Sequence, residues 1–215
     1  MGKLSTVRKV VCSAVLAGVV LAAAAPGAVS QASKELPGRR SEGAHKRGAP
    51  TVSAQTASKV ADALAQRIDY YWHKGDYDSI AFLCSQIVQL DPYDVETWTN
   101  YGWILWAGLD REGEAMRVLK KGLSLNPHRY ELYYEIAFLL YQKRRYDEAA
   151  RYLEKGLKYP APPLAWNLYA HALEKGGNPR AAAALWRSMQ KRFPDFELSQ
   201  VNLDRLKRKG LIKEF

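Results

Sequence analysis

From Ser53 onward the apolar residues fall on stripes of helical spacing, broken at intervals by glycine and proline. Val60, Leu64, Ile68 and Tyr71 form the first stripe, and Gly75-Asp76 interrupts it. Ile80, Leu83, Cys84, Ile87 and Leu90 form the second, which Asp91-Pro92 ends. Steps of three and four residues place such positions on one face of a helix, and a proline past the last turn stops it. A pair of helices is therefore predicted here. A second pair is predicted from about Val95 to Asn126, with Trp98, Tyr101, Gly102 and Leu105 on its first helix. Gly108 and Gly113 belong to its turn, and Ala115, Val118, Leu119, Gly122, Leu123 and Leu125 to its second helix. A third runs from Tyr130 to Tyr159, through Tyr133, Ile136, Ala137 and Leu140, then Ala149, Leu153, Gly156 and Leu157. A fourth runs from Pro163 to Phe193, through Trp166, Tyr169, Ala170 and Leu173, a Gly176-Gly177-Asn178-Pro179 turn, then Ala182, Leu185, Trp186 and Met189. One more helix follows Pro194-Asp195, with Leu198, Val201 and Leu206 as its apolar side and Gly210 at its end.

The prolines that close the pairs, Pro92, Pro127, Pro160 and Pro194, stand 35, 33 and 34 residues apart. A period of that length is the signature of stacked helical hairpins, each burying its apolar face on its neighbours. The expected fold class is all-α, an α-solenoid of about four helix pairs plus a C-terminal capping helix. Its repeats are placed at about 61–94, 95–129, 130–162 and 163–194 and its cap at 195–209, in a domain spanning 53–210. A solenoid end needs a helix that is apolar inside and polar outside, and the last helix is read as that cover.

Within the period, an aromatic recurs early in three first helices (Trp98, Tyr133, Trp166), and a small residue follows four later (Gly102, Ala137, Ala170). An alanine opens each matching second helix (Ala115, Ala149, Ala182). With the closing prolines, these residues resemble the tetratricopeptide repeat family over roughly Ala61 to Pro194. The small residue faces the alanine, so the two helices approach closely, and the aromatic fills the gap between them. The first repeat departs from the pattern: Leu64 replaces the aromatic, and Ile68 and Ile80 occupy the two small positions. Two facing isoleucines hold those helices further apart. The second repeat is one residue long in its turn and the third one residue short near its end.

The resemblance implies that the first helices line a concave groove in which peptides or partner segments lie. Carried onto this chain, the inward positions are Asp62, Ala65, Gln66, Asp69, Trp72 and His73, then Glu96, Thr99, Asn100, Trp103 and Trp106. The third repeat adds Glu131, Tyr134, Glu135, Phe138 and Tyr141, and the fourth Leu164, Asn167, Leu168 and His171. The expected binding set is Asp69, Trp72, Trp103, Trp106, Glu131, Tyr134, Glu135, Phe138, Tyr141, Asn167 and His171. Its rings form a stripe that the core pattern does not require, and Asp69, Glu96, Glu131 and Glu135 place acids among them. Uncovered aromatics mark binding surfaces; packing of several of these rings between neighbouring repeats is the competing account. Some members of the family clamp a C-terminal carboxylate with lysine, arginine and asparagine. Here the corresponding positions hold Ala65, Asp69, Thr99, Trp103, Tyr134 and Phe138, so that clamp is not implied.

The first fifty residues have a different composition. Met1 to Lys9 carries Lys3, Arg8 and Lys9 and no acid; Val10 to Ala25 is apolar apart from Cys12 and Ser13; small residues follow through Ala32. This is the layout of a bacterial-type signal peptide at 1–30, with cleavage expected after Ser30, or alternatively after Ala25 or Ala32. An uncleaved anchor is the other reading, although the apolar run of 16 residues falls short of the ~20 that span a bilayer. Residues 31–52 read as a flexible basic linker, poor in large apolar side chains. The formal charge of +10 divides into +3 for residues 1–30, +3 for 31–50 and about +4 for the rest, so it is no nucleic-acid footprint.

Cleavage would leave Cys84 as the single cysteine, on an apolar stripe, and so an inert thiol with no disulfide partner. His45, His73, His128 and His171 are scattered without ligand spacing, and no phosphate loop or dinucleotide fingerprint occurs. No catalytic residue, metal or cofactor is expected. The expected function is a non-enzymatic scaffold in the cell envelope, periplasmic or secreted, that grips an unidentified protein or peptide carrying apolar and basic residues. Self-association through the groove is compatible with it, and glycan binding by the same rings is the alternative function.

Overall fold

The computed structural model describes residues 53–213. The signal peptide expected at 1–30 and the linker expected at 31–52 lie outside the described residues. The chain divides into two units, Met1–Ala57 and Ser58–Phe215; of the first, the described part is the opening of a helix at residues 53–57.

Among the described residues the order is all helical: α1 (Ala54–Lys74), α2 (Tyr77–Leu90), α3 (Val95–Trp103) continued by a π-helical segment (Ile104–Gly108), α4 (Glu112–Leu125), α5 (Tyr130–Gln142), α6 (Tyr146–Gly156), α7 (Pro163–Lys175), α8 (Pro179–Arg192) and α9 (Leu198–Arg208). In the second unit α3 packs on α4, α5 on α6 and α7 on α8, and each second helix packs on the next first helix through to α9. First helices also meet one another, α3 with α5 and α5 with α7, whereas successive second helices make no comparable contact. The first helices are thus the inner layer of the stack, as expected of a solenoid.

The same devices recur in each hairpin. The turns pivot on one residue with positive φ, at Gly75 (68°), Asp110 (55°), Arg144 (59°) and Gly177 (91°). Side-chain caps start four of the described helices: Ser53 accepts from the Thr56 N–H at 3.2 Å, Asp76 from Ser79 at 3.0 Å, Asp94 from Thr97 at 3.2 Å and Asn178 from Ala181 at 3.0 Å. Ala137 and Ala149 are fully buried, as are Ala170 and Ala182, at the positions where helices of one pair touch. Glycine makes the closest approaches. A Cβ on Gly156 would lie 2.5 Å from Tyr133 Cβ, and one on Gly122 2.8 Å from Trp98 Cγ. The aromatic also pins the preceding turn, since Trp98 Nε1 donates to the Pro92 carbonyl at 2.9 Å and the Tyr133 hydroxyl to the Pro127 carbonyl at 3.0 Å. In the fourth repeat Trp166 Nε1 is buried with no partner among the described residues, and Arg192 lies over its ring at 4.5 Å.

Three local expectations are refined. The extra residue of the second repeat does not lengthen the turn alone; it is taken up inside the first helix as the π-helical segment, where the Leu109 N–H donates to the Ile104 carbonyl at 3.1 Å. Gly113 lies within α4, not in the turn. In the last helix the covered side is Ser199, Asn202, Leu203 and Leu206, while Leu198 and Val201 stay 45% and 55% exposed. The apolar side expected from Leu198 and Val201 is therefore corrected: Leu203 and Leu206 enter the cluster with Trp186 and Met189, and Asn202 donates to Asn167 on the same side. The first repeat differs as expected from its isoleucines. No described side chain of α1 is fully buried, and Leu64 and Ile68 are only half-covered. The core runs continuously from α2 to α7, and a second cluster around Trp186, Met189 and Leu206 joins α7 and α8 to α9.

Adding a methyl group at Gly156 or Gly122 is expected to destabilise the fold by about 1–3 kcal/mol through overpacking against the aromatic. Gly113→Ala, whose Cβ would meet nothing nearer than Arg117 at 3.7 Å, is expected to be neutral or to stabilise by up to ~1 kcal/mol. Urea midpoints compare the three variants, and equal shifts at all of them would contradict the close-approach account.

Candidate functional site

The inner layer places all eleven expected residues at partly covered positions. Asp69 and Trp72 come from α1, Trp103 from α3, Trp106 from the π-helical segment, Glu131, Tyr134, Glu135, Phe138 and Tyr141 from α5, and Asn167 and His171 from α7; none is fully buried and none fully exposed. The rings interlock along the stack. Trp72 meets Trp103 of the next repeat at 5.9 Å between centroids, and Trp106 meets Phe138 edge-on at 5.8 Å. Phe138 lies parallel to Tyr134 at 6.2 Å and 11°. Tyr141 abuts Tyr146, and Trp72 abuts Tyr77, both partners being the first residue of the following second helix. Both accounts of the aromatic stripe thus hold in part: each ring packs on the core and keeps some of its surface uncovered.

The acids fall into two kinds. Glu131 is held by Arg129 through bonds of 3.2 and 2.7 Å, and the Asp69 carboxylate lies 3.8 Å from His73 Nδ1. Glu135 is different. It keeps some exposed surface, yet its carboxyl is crowded by protein, and that burial pushes its pKa up to about 7. No hydrogen bond or ion pair to a described residue offsets the burial. Next to it, burial and then the Glu135 charge push the Tyr134 phenol up to about 12.

The C-terminal part of the inner layer is internally satisfied. Asn167 Oδ1 accepts from Trp186 Nε1 at 2.9 Å and from Asn202 Nδ2 at 3.3 Å, tying α7 to α8 and α9. Arg205 grips Glu174 with two bonds of 2.6 and 2.5 Å, and those bonds hold the Glu174 carboxyl below its ordinary range. His171 packs edge-on against Trp186 at 5.1 Å, and burial pushes its pKa down. Glu174 and Arg205 were missed in the sequence reading. The repeat register marks Glu174, which stands where Trp106 and Tyr141 stand in the earlier repeats; nothing local marked Arg205.

Among the described residues no group of three or more metal-ligating side chains converges, and no helix is long and apolar enough to cross a membrane. A shallow depression lies among Tyr130, Tyr133, Tyr134, Leu153, Gly156, Leu157 and Ala165, with no enclosed space for a small molecule. Cys84 is fully buried and its thiol is pushed up to about 12, chiefly by burial, so it is a poor nucleophile.

A carboxyl whose folded pKa is raised favours the fold below its unfolded value, near 4.5, and loses that contribution as pH rises through about 7. The loss is at most about 3 kcal/mol, since part of the side chain is solvated. Glu135→Gln is expected to raise the melting temperature at about pH 8 and to flatten its decline between the two values. Parallel pH profiles for both proteins would refute the desolvated carboxyl. Asn167→Ala, which leaves a buried indole N–H without its acceptor, is expected to cost about 1–3 kcal/mol in urea unfolding.

Residues 109–172 match the family model described as Tetratricopeptide repeat. No curated protein sequence matches the chain. Among solved structures, MamA is similar at a TM-score of 0.58 and 18% identity, over 72% of this chain and 85% of that one. A MamA structure from Desulfovibrio magneticus RS-1 gives 0.57 and 19%, over 70% and 85%. YrrB, described as a TPR protein with an unusual peptide-binding site, gives 0.54 and 13%, over 74% and 86%. At these identities the likeness is one of fold. The chain is an all-α solenoid, and the tetratricopeptide repeat model matches its residues 109–172.

Proposed function

We propose that this protein is a non-enzymatic scaffold that binds an unidentified protein or peptide along its inner face, and that it does so after export to the cell envelope. The observation that carries the first part is the set of incompletely covered inner rings, with Trp72 on Trp103, Trp106 on Phe138 and Phe138 on Tyr134, and with Glu135 on the same helix as the last two. Partly exposed tryptophan and tyrosine give a partner a large contact at small loss of side-chain entropy. A solenoid presents such a row as an extended surface, which suits a chain segment better than a small molecule. Tetratricopeptide-type scaffolds are in general protein-binding, and YrrB is described as having a peptide-binding site, which supports the same reading here. Export rests on the signal-like layout of residues 1–30. The glycan alternative draws no support from the site or from these neighbours.

Capture of partners by the chain lacking residues 1–30 is the test, compared with a Trp103→Ala/Phe138→Ala variant of matched helicity and melting temperature. The variant is expected to lose most of the recovered protein. Equal recovery by both would remove the inner face as the binding surface, and retention of purified polysaccharide but of no protein would transfer the function to sugars. Export is checked by fractionation of a native host, where a chain shortened at its N-terminus by signal cleavage is expected outside the cytoplasm.

A further inference from the structure

We propose that the Glu135 carboxylate is the receptor for a lysine or arginine side chain of an incoming segment of another protein, whose flanking apolar residues rest on Tyr134, Phe138 and Trp106. This rests on the binding reading above and specifies what the groove recognises.

Glu135 sits at the middle of the inner stripe of α5, four residues after Glu131 and three before Phe138. Other acids of the stack have a cation. Arg129 takes Glu131, Arg205 takes Glu174, Lys143 takes Glu112, Arg145 takes Glu148 and Arg111 takes Asp78. Glu135 is crowded by protein with no cation from any described residue to match it. The equivalent inner positions of the neighbouring repeats hold Asn100 and Leu168, and so bring no charge to it. An uncompensated carboxylate in partly dry surroundings is unfavourable in the free protein, and a cation from outside removes that penalty. The rings beside it suit the same guest. Tyr134 and Phe138 lie parallel, Trp106 meets Phe138 edge-on, and aromatic faces attract ammonium and guanidinium groups.

Charge complementarity here is local. The region from residue 51 onward is about +4 overall, so a basic segment has no bulk attraction to it and gains only at the acidic inner positions. A lone carboxylate does not make a divalent-metal site, and no metal-ligating cluster occurs among the described residues. The occupant is therefore a side-chain cation on a chain whose neighbours are apolar.

The probe is a displayed library of short random peptides, selected in parallel on the full chain, on Glu135→Gln and on Trp103→Ala/Phe138→Ala. Peptides recovered on the full chain are expected to share a lysine or arginine at a fixed distance from an aromatic or aliphatic residue. Their synthetic forms are expected to bind Glu135→Gln about tenfold or more weakly, and a form with that lysine changed to norleucine is expected to bind both proteins alike. In carboxyl NMR the Glu135 midpoint, near neutral in the free chain, is expected to fall when peptide binds. Selected peptides without basic enrichment, or binding that Glu135→Gln leaves unchanged, overturn this inference while the inner face remains the binding surface. No selected peptide at all, or peptides indifferent to the loss of Trp103 and Phe138, overturn both. Self-association of the chain alone in light scattering, abolished by Glu135→Gln, would give the cation to a second copy and overturn the assignment to another protein.

Discussion

The whole assembly depends on how closely two helices of a hairpin approach. Where Gly156 lies against Tyr133, and Gly122 against Trp98, there is no room for a single added carbon. The buried alanine pairs Ala137–Ala149 and Ala170–Ala182 hold the other end of the same contact. Close approach lets one large ring cover the seam from within, and its polar atom then fixes the turn that leads into the hairpin. The spacing of the stack therefore follows from a few small residues and one aromatic per repeat. The first pair, with isoleucines in those places, leaves α1 without a fully buried described side chain.

That spacing also decides what the inner layer offers. First helices set side by side carry their inward residues into a row, so Trp72 meets Trp103 and Trp106 meets Phe138 across the two successive repeat boundaries. Ring-to-ring contact stiffens the row without covering it. Toward the C-terminus the row changes character, because Asn167, Glu174 and Arg205 are engaged in joining the last helices to the stack. Among the inner acids of α5, in the third repeat, the carboxylate without a described cation is Glu135.

Much of this was legible in the sequence, because each repeat states the same rule again. Period and hairpins follow from spacing, and the inner positions of the eleven expected residues are what the family resemblance implies. What escaped was the chemistry of pairs distant in sequence. Glu174 meets Arg205 across 31 residues and Asn167 meets Asn202 across 35, and such contacts depend on how α9 is rotated. Apolar pattern placed Leu198 and Val201 underneath that helix. Instead Leu203 and Leu206 pack underneath, with Ser199 and with Asn202, which donates to Asn167. Likewise, four acids on the inner face looked alike as letters, and only their surroundings separate Glu135 from Glu131.

The π-helical segment at Ile104–Gly108 shows how the stack absorbs a change of length. The second repeat has one residue more than the first or the fourth between the inner contact of its first helix and that of its second: 17 from Trp98 to Ala115, against 16 from Leu64 to Ile80 and from Trp166 to Ala182. Had that residue merely advanced the helical screw, the turn and everything after it would have rotated by about 100°. A widened loop of backbone dissipates the surplus within five residues, and the left-handed pivot returns at Asp110. The architecture thus carries its own tolerance to insertion, confining an accident of length to one bulge and leaving the downstream phase of the array untouched.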